Sequence, residues 1–179
     1  LEEIGYEYKV TKVDIGNDEQ FNSDFLKISP FGKIPVIIDH ESKNSIFESG
    51  AILMYLADKS GKFYDQNERL VINQWLMAQM GTVGPMIGQH HQFHHYNPGK
   101  SDFGEERYFK ITKRIYGELD ARLKESKFLA GPNYTIADIA TWPWMARHEW
   151  HDIGLKNFEN LSRWYLEISS RDAVIKGYS

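Results

Sequence analysis

The chain contains no cysteine in its 179 residues. That absence excludes disulfide bridges, cysteine-ligated zinc, a cysteine nucleophile and a dithiol redox pair. Any redox chemistry must therefore take its sulfur from a ligand. An excess of positive charge is also missing: 21 basic residues face 25 acidic ones, for a net charge of −4. This argues against nucleic acid or a polybasic membrane surface as the main partner. No apolar run approaches the ~18–20 residues that span a bilayer. No serine–histidine–acid set, phosphate loop or dinucleotide fingerprint is present. The sequence also has no initiator methionine. It opens on Leu1-Glu2-Glu3-Ile4-Gly5, the pattern of a helix's last turn and its glycine stop. The expectation is that further residues precede Leu1, and any targeting signal would lie among them.

What is present is a globular composition, 41% hydrophobic and 26% charged, with two textures along the chain. Tyr6 to Asp14 alternates aromatic and β-branched residues with charged ones and reads as a strand. Ser23 to Ile28 is a short helix ended by Ser29-Pro30 and Gly32. Val36 to Asp39 and Ser45 to Phe47 are strands joined by the polar turn His40 to Asn44. Ser49 to Lys59 carries a helical stripe of Ile52, Leu53, Leu56 and Ala57. Beyond a polar stretch at 62–67, strand signals disappear. Helices are expected from about Glu68 toward Phe93, from about Gly104 to Lys124, from Thr135, and over about Asn160 to Ser169. The expected organisation is α/β at 1–61, a linker at 62–67 and an all-α domain at 68–179.

Several segments can carry chemistry. Lys33-Ile34-Pro35-Val36 sits where a loop enters a strand. Pro35 is either a plain strand-entry proline or a cis proline that turns the Ile34 backbone outward, where a peptide can pair with it. Glu48 and Ser49 lie at a helix start, where free amides favour a carboxylate and Glu48 can hold an ammonium group. The alternative is an ordinary N-cap with a dipole-compensating acid. Thr135 and Asp138 have N-cap and N3 spacing, a structural device. Gly81, Gly84 and Gly88 strip one helix face of side chains around Pro85, so another helix or a ligand must approach closely. Four of the seven histidines follow in Gln89-His90-His91-Gln92-Phe93-His94-His95. The i, i+4 pairs in this run, His90/His94 and His91/His95, have a spacing that a metal site uses. No acid lies within the run, however, and a third ligand would have to come from elsewhere, such as His148 or His151. A polar aromatic wall is the expected role. Arg107 is either a surface ion-pair partner or a grip for a ligand carboxylate.

Taken together, the KIP turn, the FESGAIL helix start and the T-I-A-D cap resemble the glutathione S-transferase family over essentially the whole chain. Gln20-Phe21, Asn73-Gln74-Trp75-Leu76, Gly84-Pro85-Met86-Ile87-Gly88-Gln89, Glu106-Arg107-Tyr108 and Ala140-Thr141-Trp142-Pro143-Trp144 look like its bacterial nu-class branch, which is related to fungal nitrogen-regulation proteins. The resemblance implies an N-terminal thioredoxin-like glutathione-binding domain, lacking its first strand and most of its first helix, and a helical C-terminal domain. It further implies a cytoplasmic homodimer that reduces disulfides or conjugates electrophiles with glutathione as co-substrate. No metal, nucleic acid or membrane is expected to take part. Glu48 and Ser49 would hold the γ-glutamyl end and the Ile34 backbone the cysteinyl residue, before a cis Pro35. Gln20, Lys33 and Arg107 would also contact glutathione or its disulfide. Gly81, Gly84, Met86, His90 and His91 would wall the second-substrate cleft. The thiol-activating residue of this branch would lie upstream of Leu1, and none in the chain replaces it. Arg171-Asp172 departs from the usual Arg-Pro. The competing expectation is a non-enzymatic glutathione-transferase-like module used for dimerisation or partner binding.

Overall fold

The computed structural model describes residues 1–178, and the chain divides between Lys62 and Phe63 into two units. In the first, Glu2–Ile4 form a 3-10 turn closed by Gly5 in the left-handed region, φ 74°. Residues 6–14 do not form the expected strand. Their alternation suits a pleated surface, but a strand exists only where a neighbour takes its N–H and C=O groups. The sheet among the described residues pairs other segments. It consists of β1 (Val36–Asp39) and β2 (Asn44–Phe47), antiparallel, with a register running from Val36↔Phe47 to Asp39↔Asn44.

The short helix α1 (Ser23–Leu26) precedes the sheet, and α2 (Ser49–Ser60) follows it and stops at Gly61, φ 69°. Gly50, Ile52 and Ala57 are its buried positions. Polar bonds clamp α2 to the far end of the hairpin. Tyr55 Oη donates to Asp39 Oδ2 at 2.5 Å, and Lys59 Nζ reaches Asp39 and Glu41 at 2.5 and 2.8 Å. The Lys59 ammonium, with the Tyr55 phenol, holds the Asp39 carboxyl well below the usual range.

The second unit is helical. The expected long helix is one helical path from Arg69 to Tyr96, interrupted twice. Helices α3 (Arg69–Ala78) and α4 (Gly84–His90) are separated by a π-helical segment, Gln79–Val83, and a second one, His91–Tyr96, follows α4. Pro85 stands in the first turn of α4. It has no N–H to give to the preceding turn, and the ladder changes register just before it. The path continues with α5 (Asp102–Glu125), α6 (Ile136–Met145), α7 (Glu159–Ser169) and α8 (Asp172–Tyr178).

Helical spacing puts Ile115, Tyr116, Leu119 and Leu123 of α5 on one stripe, which shares a buried core with Ile87, Met145, Leu161, Trp164 and Ile168. Ends are tied across the core. Asp120 of α5 accepts from the Asn160 and Leu161 amides at 2.8 and 2.9 Å, capping α7, whose own N-cap residue, Phe158, has no side-chain oxygen. Arg163 of α7 returns bonds to the Leu123, Ser126 and Lys127 carbonyls at the end of α5. The polar stretch read as a linker is partly built into this unit. The Phe63 carbonyl accepts from the Ile136 amide at 3.1 Å, and buried Tyr64 donates to Asn73 Oδ1 at 2.6 Å.

Candidate functional site

The hairpin register decides what meets in the first unit. Because Val36 pairs with Phe47, the residues just outside each strand, Pro35 and Glu48, flank the same end of the sheet. The Ile34–Pro35 peptide bond is cis. The loop that leads into it is closed by buried Ser29, whose Oγ donates to the Lys33 carbonyl at 2.8 Å and accepts from the Lys33 amide at 3.0 Å. Gly32 turns this loop at φ 59°. A Cβ there would lie 2.8 Å from the Phe21 ring and 3.0 Å from the Gln20 carbonyl, so only glycine fits. The same close approach fixes Gln20-Phe21 beside the loop. The Gln20 side chain is 9% exposed; its amide reaches the Ile15 carbonyl at a long 3.5 Å, and its Oε1 is buried without a partner. Sequence reasoning passed over Ser29, although Ser-Pro-x-Gly carries a turn signal.

Across from this loop, Glu48 adopts φ 68° and ψ 117° and stands at the N-cap position of α2 without a side-chain capping bond. A left-handed φ is unfavourable for a glutamate and is found chiefly where surrounding structure enforces it for a purpose. No side-chain hydrogen bond caps the helix from Glu48, whose side chain is exposed at the helix start. Ser49 opens the helix and is also exposed. The site thus offers an acid, a hydroxyl and the first amides of a twelve-residue helix at one sheet end, opposite a backbone turned by a cis proline. Such a set suits a ligand carrying an ammonium, a carboxylate and a peptide group.

The expected second-substrate residues do not stay together. Gly81 is exposed with open space where a Cβ would be, and Met86 is half-buried. Gly84 is buried, and a Cβ there would lie 2.7 Å from Gln79 Nε2 and 3.1 Å from the Trp144 ring, which also covers Gly88 at 3.6 Å. For these two glycines the approaching group is a tryptophan of α6, so helix packing explains them.

His90 and His91 are not a surface wall either: they are 0% and 8% exposed. His90 Nε2 donates to the His151 carbonyl at 3.0 Å, and its ring stacks on His94 with centroids 4.8 Å apart. His91 Nε2 shares a 2.7 Å hydrogen bond with His151 Nε2, whose Nδ1 meets Tyr116 Oη at 2.5 Å. Burial pushes His90 down, His91 down to about 4 and His151 down to about 3, helped by neighbouring histidines. Their partner lies some sixty residues away along the chain, which spacing alone does not reveal. Among the described residues no three histidines or carboxylates are grouped to hold a metal. Arg107 lies exposed on α5 with its guanidinium 6.0 Å from the Tyr108 ring centroid.

Family models for the glutathione S-transferase N-terminal and C-terminal domains match residues 1–58 and 83–172. The chain belongs to the glutathione S-transferase family, with an N-terminal thioredoxin-like domain and an all-helical C-terminal domain. Within that family it is 44% identical to the disulfide-bond oxidoreductase YfcG of Escherichia coli, over 97% of this chain and 84% of that one. It is 37% identical to the disulfide-bond oxidoreductase YghU of the same organism, over 97% of this chain and 64% of that one. A glutathione transferase from Pseudomonas putida, solved with one glutathione disulfide per subunit, is 38% identical and superposes with a TM-score of 0.90 over 98% of this chain and 82% of its own. One from Pseudomonas fluorescens, with two glutathione molecules bound, is 40% identical with a TM-score of 0.91 over 98% and 83%.

Proposed function

We propose that the chain binds glutathione at the sheet end and uses its thiolate to reduce disulfides. The observation that carries this reading is Glu48, an exposed acid held at φ 68° at the start of α2, with the hairpin register setting it beside the cis Ile34–Pro35 turn. In this reading Glu48 holds the ammonium of the γ-glutamyl end, while Ser49 and the α2 amides hold its carboxylate. The Ile34 backbone pairs with the cysteinyl residue. Lys33 and Gln20 complete the contacts, Gln20 through its buried, unpartnered Oε1. The names of the E. coli relatives and the glutathione bound in the Pseudomonas structures support the same ligand and the same reaction class.

The absence of cysteine gives the reaction its form. The thiolate of bound glutathione attacks one sulfur of the substrate disulfide, forming a mixed disulfide and expelling the other sulfur as a thiolate. A second glutathione thiolate then attacks the glutathione sulfur of that mixed disulfide. Glutathione disulfide forms, the substrate's remaining thiolate leaves, and the two glutathiones have supplied the two electrons. On the helical unit, exposed Gly81, half-buried Met86 and exposed Arg107 are assigned to the second substrate or to glutathione disulfide. Gly84, His90 and His91 are withdrawn from that role because they are buried. The working form is a cytoplasmic homodimer. The test is a coupled assay with glutathione that compares a small dialkyl disulfide with a chlorinated aromatic acceptor. Turnover of the disulfide in preference to the aromatic is expected. Turnover of the aromatic alone would refute disulfide reduction.

A further inference from the structure

The Tyr116–His151–His91 hydrogen-bond chain lies inside the helical unit and includes none of the residues assigned above to glutathione. Its direction follows from burial. Tyr116 is 0% exposed, and its hydroxyl meets His151 Nδ1 at 2.5 Å. A buried hydroxyl with one such partner donates to it, because an orphaned O–H costs ~1–3 kcal/mol. His151 Nδ1 therefore accepts, neutral His151 carries its proton on Nε2, and that proton is donated to His91 Nε2 across 2.7 Å. Reversing the chain changes which nitrogen owns the proton but not the count: the Nε2–Nε2 pair accommodates one.

A further proton has nowhere to go. On His91 Nε2 it would face another N–H donor at 2.7 Å. On His151 Nδ1 it would displace the Tyr116 hydroxyl proton into a site with no second partner. On His90 Nδ1, a buried nitrogen without a partner, it would create a charge in a side chain that is 0% exposed. Neighbouring groups oppose it as well. His94 and His95 come from the π segment and Arg147 and His148 from the turn after α6, and all act against protonation of the cluster. From α5 the titratable group is Tyr116 itself, and from α6 the contact is the uncharged Trp144. Among the described residues, Asp152 is the carboxylate acting on the cluster. Glu149, in the same turn, is exposed and acts on Tyr165.

We propose that this chain is a proton-operated latch, holding the His148–His151 turn against the His91–Tyr96 segment while the histidines are neutral and releasing it when the cluster takes up a proton. The turn is also tied to α4, where His90 Nε2 donates to the His151 carbonyl at 3.0 Å. Trp150 stacks on His95 with centroids 4.1 Å apart and meets His91 and Tyr96 edge-on at 5.4 and 5.8 Å, so the ring contacts of Trp150 fall on that segment. His148 meets Tyr165 of α7. With one proton taken up, either the Nε2–Nε2 bond or the Tyr116 bond is lost, the charged ring gains more from water than from the cluster, and the turn swings out with Trp150. The core stripe of α5 below Tyr116 does not depend on it.

Hydrogen exchange of the full chain as a function of pH, corrected for the intrinsic rate, tests this in the unmodified protein. On acidification below the ordinary histidine range, amides of residues 147–152 are expected to gain about tenfold in corrected exchange for each pH unit. Amides of α5 are expected to stay protected. Substituting His91→Gln keeps an amide that can donate or accept but does not titrate, and it is expected to flatten this pH dependence. If corrected exchange at 147–152 stays constant until the whole unit unfolds, or rises identically in His91→Gln, the latch is refuted.

Discussion

Replacing Asp138 by alanine is expected to remove most of the helical unit's stability. The carboxylate is 0% exposed and serves four donors. Oδ1 accepts from the Leu129 amide and Trp164 Nε1, both at 2.9 Å. Oδ2 accepts from the Thr135 amide at 3.0 Å and Thr135 Oγ1 at 3.2 Å. One side chain thus closes the capping box of α6, anchors the loop before it and pins a tryptophan of α7. Alanine leaves three N–H groups buried without acceptors, at ~1–3 kcal/mol each, so the loss is about 3–9 kcal/mol before any relaxation. Typical domains hold only ~5–15 kcal/mol in total. Asparagine keeps the shape and one oxygen for Leu129 and Trp164, but turns an NH2 toward the Thr135 amide, and is expected to cost about 1–3 kcal/mol. Thr135→Ala removes only the N-cap oxygen, for ~1 kcal/mol. Urea unfolding followed by far-ultraviolet circular dichroism reads all three. The expected order of midpoints is wild type, Thr135→Ala, Asp138→Asn, Asp138→Ala. An Asp138→Ala midpoint equal to or above that of Thr135→Ala would refute the reasoning.

The buried histidines set an acid limit on stability. Above ~6.5 both folded and unfolded chains carry them neutral. Below that the unfolded chain takes up protons that the native state refuses, until pH reaches the native values of about 4 for His91 and about 3 for His151. Each histidine held neutral is therefore expected to remove stability at up to ~1.4 kcal/mol per pH unit as pH falls through that window, and a flat urea midpoint there would contradict it. Two glycines should separate packing from helix propensity. Gly84→Ala places a methyl 2.7 Å from Gln79 and 3.1 Å from Trp144 and is expected to lower the melting temperature. Gly81→Ala meets nothing within 4 Å and is expected to be neutral or to stabilise by ~0.5–1 kcal/mol. Equal losses in the two variants would count against the packing described for Gly84.

The sequence made local structure legible where the determinants are local. The Val36–Phe47 hairpin, the α2 stripe and the Thr135–Asp138 box all follow from spacing and turn chemistry, and each is observed. Tyr6 to Asp14 has the right alternation for a strand, but pairing depends on a neighbour that alternation does not specify. The π segments around α4 carry no compositional mark beyond Pro85. The histidine run illustrates a limit of pattern reading. Helical spacing paired His90 with His94 and His91 with His95 but did not tell which face is buried, and His151, which hydrogen-bonds both His90 and His91, belongs to a distant turn. Ile34, Pro35, Glu48 and Ser49 could be singled out in the sequence because they stand at element ends, and the structure adds a cis Ile34–Pro35 bond and a left-handed φ at Glu48. The close contact of Gly32 with Gln20 and Phe21 was not legible, because it needs the loop to fold back.

Calorimetric titration of glutathione into the wild-type chain and into Glu48→Gln tests glutathione binding at the sheet end most directly. Saturable binding is expected in the wild type. Loss of a charge-assisted contact of ~1.5–3 kcal/mol should weaken it about 10- to 100-fold in Glu48→Gln. An absence of saturable binding, or equal affinity in the two proteins, would contradict the assignment of this site.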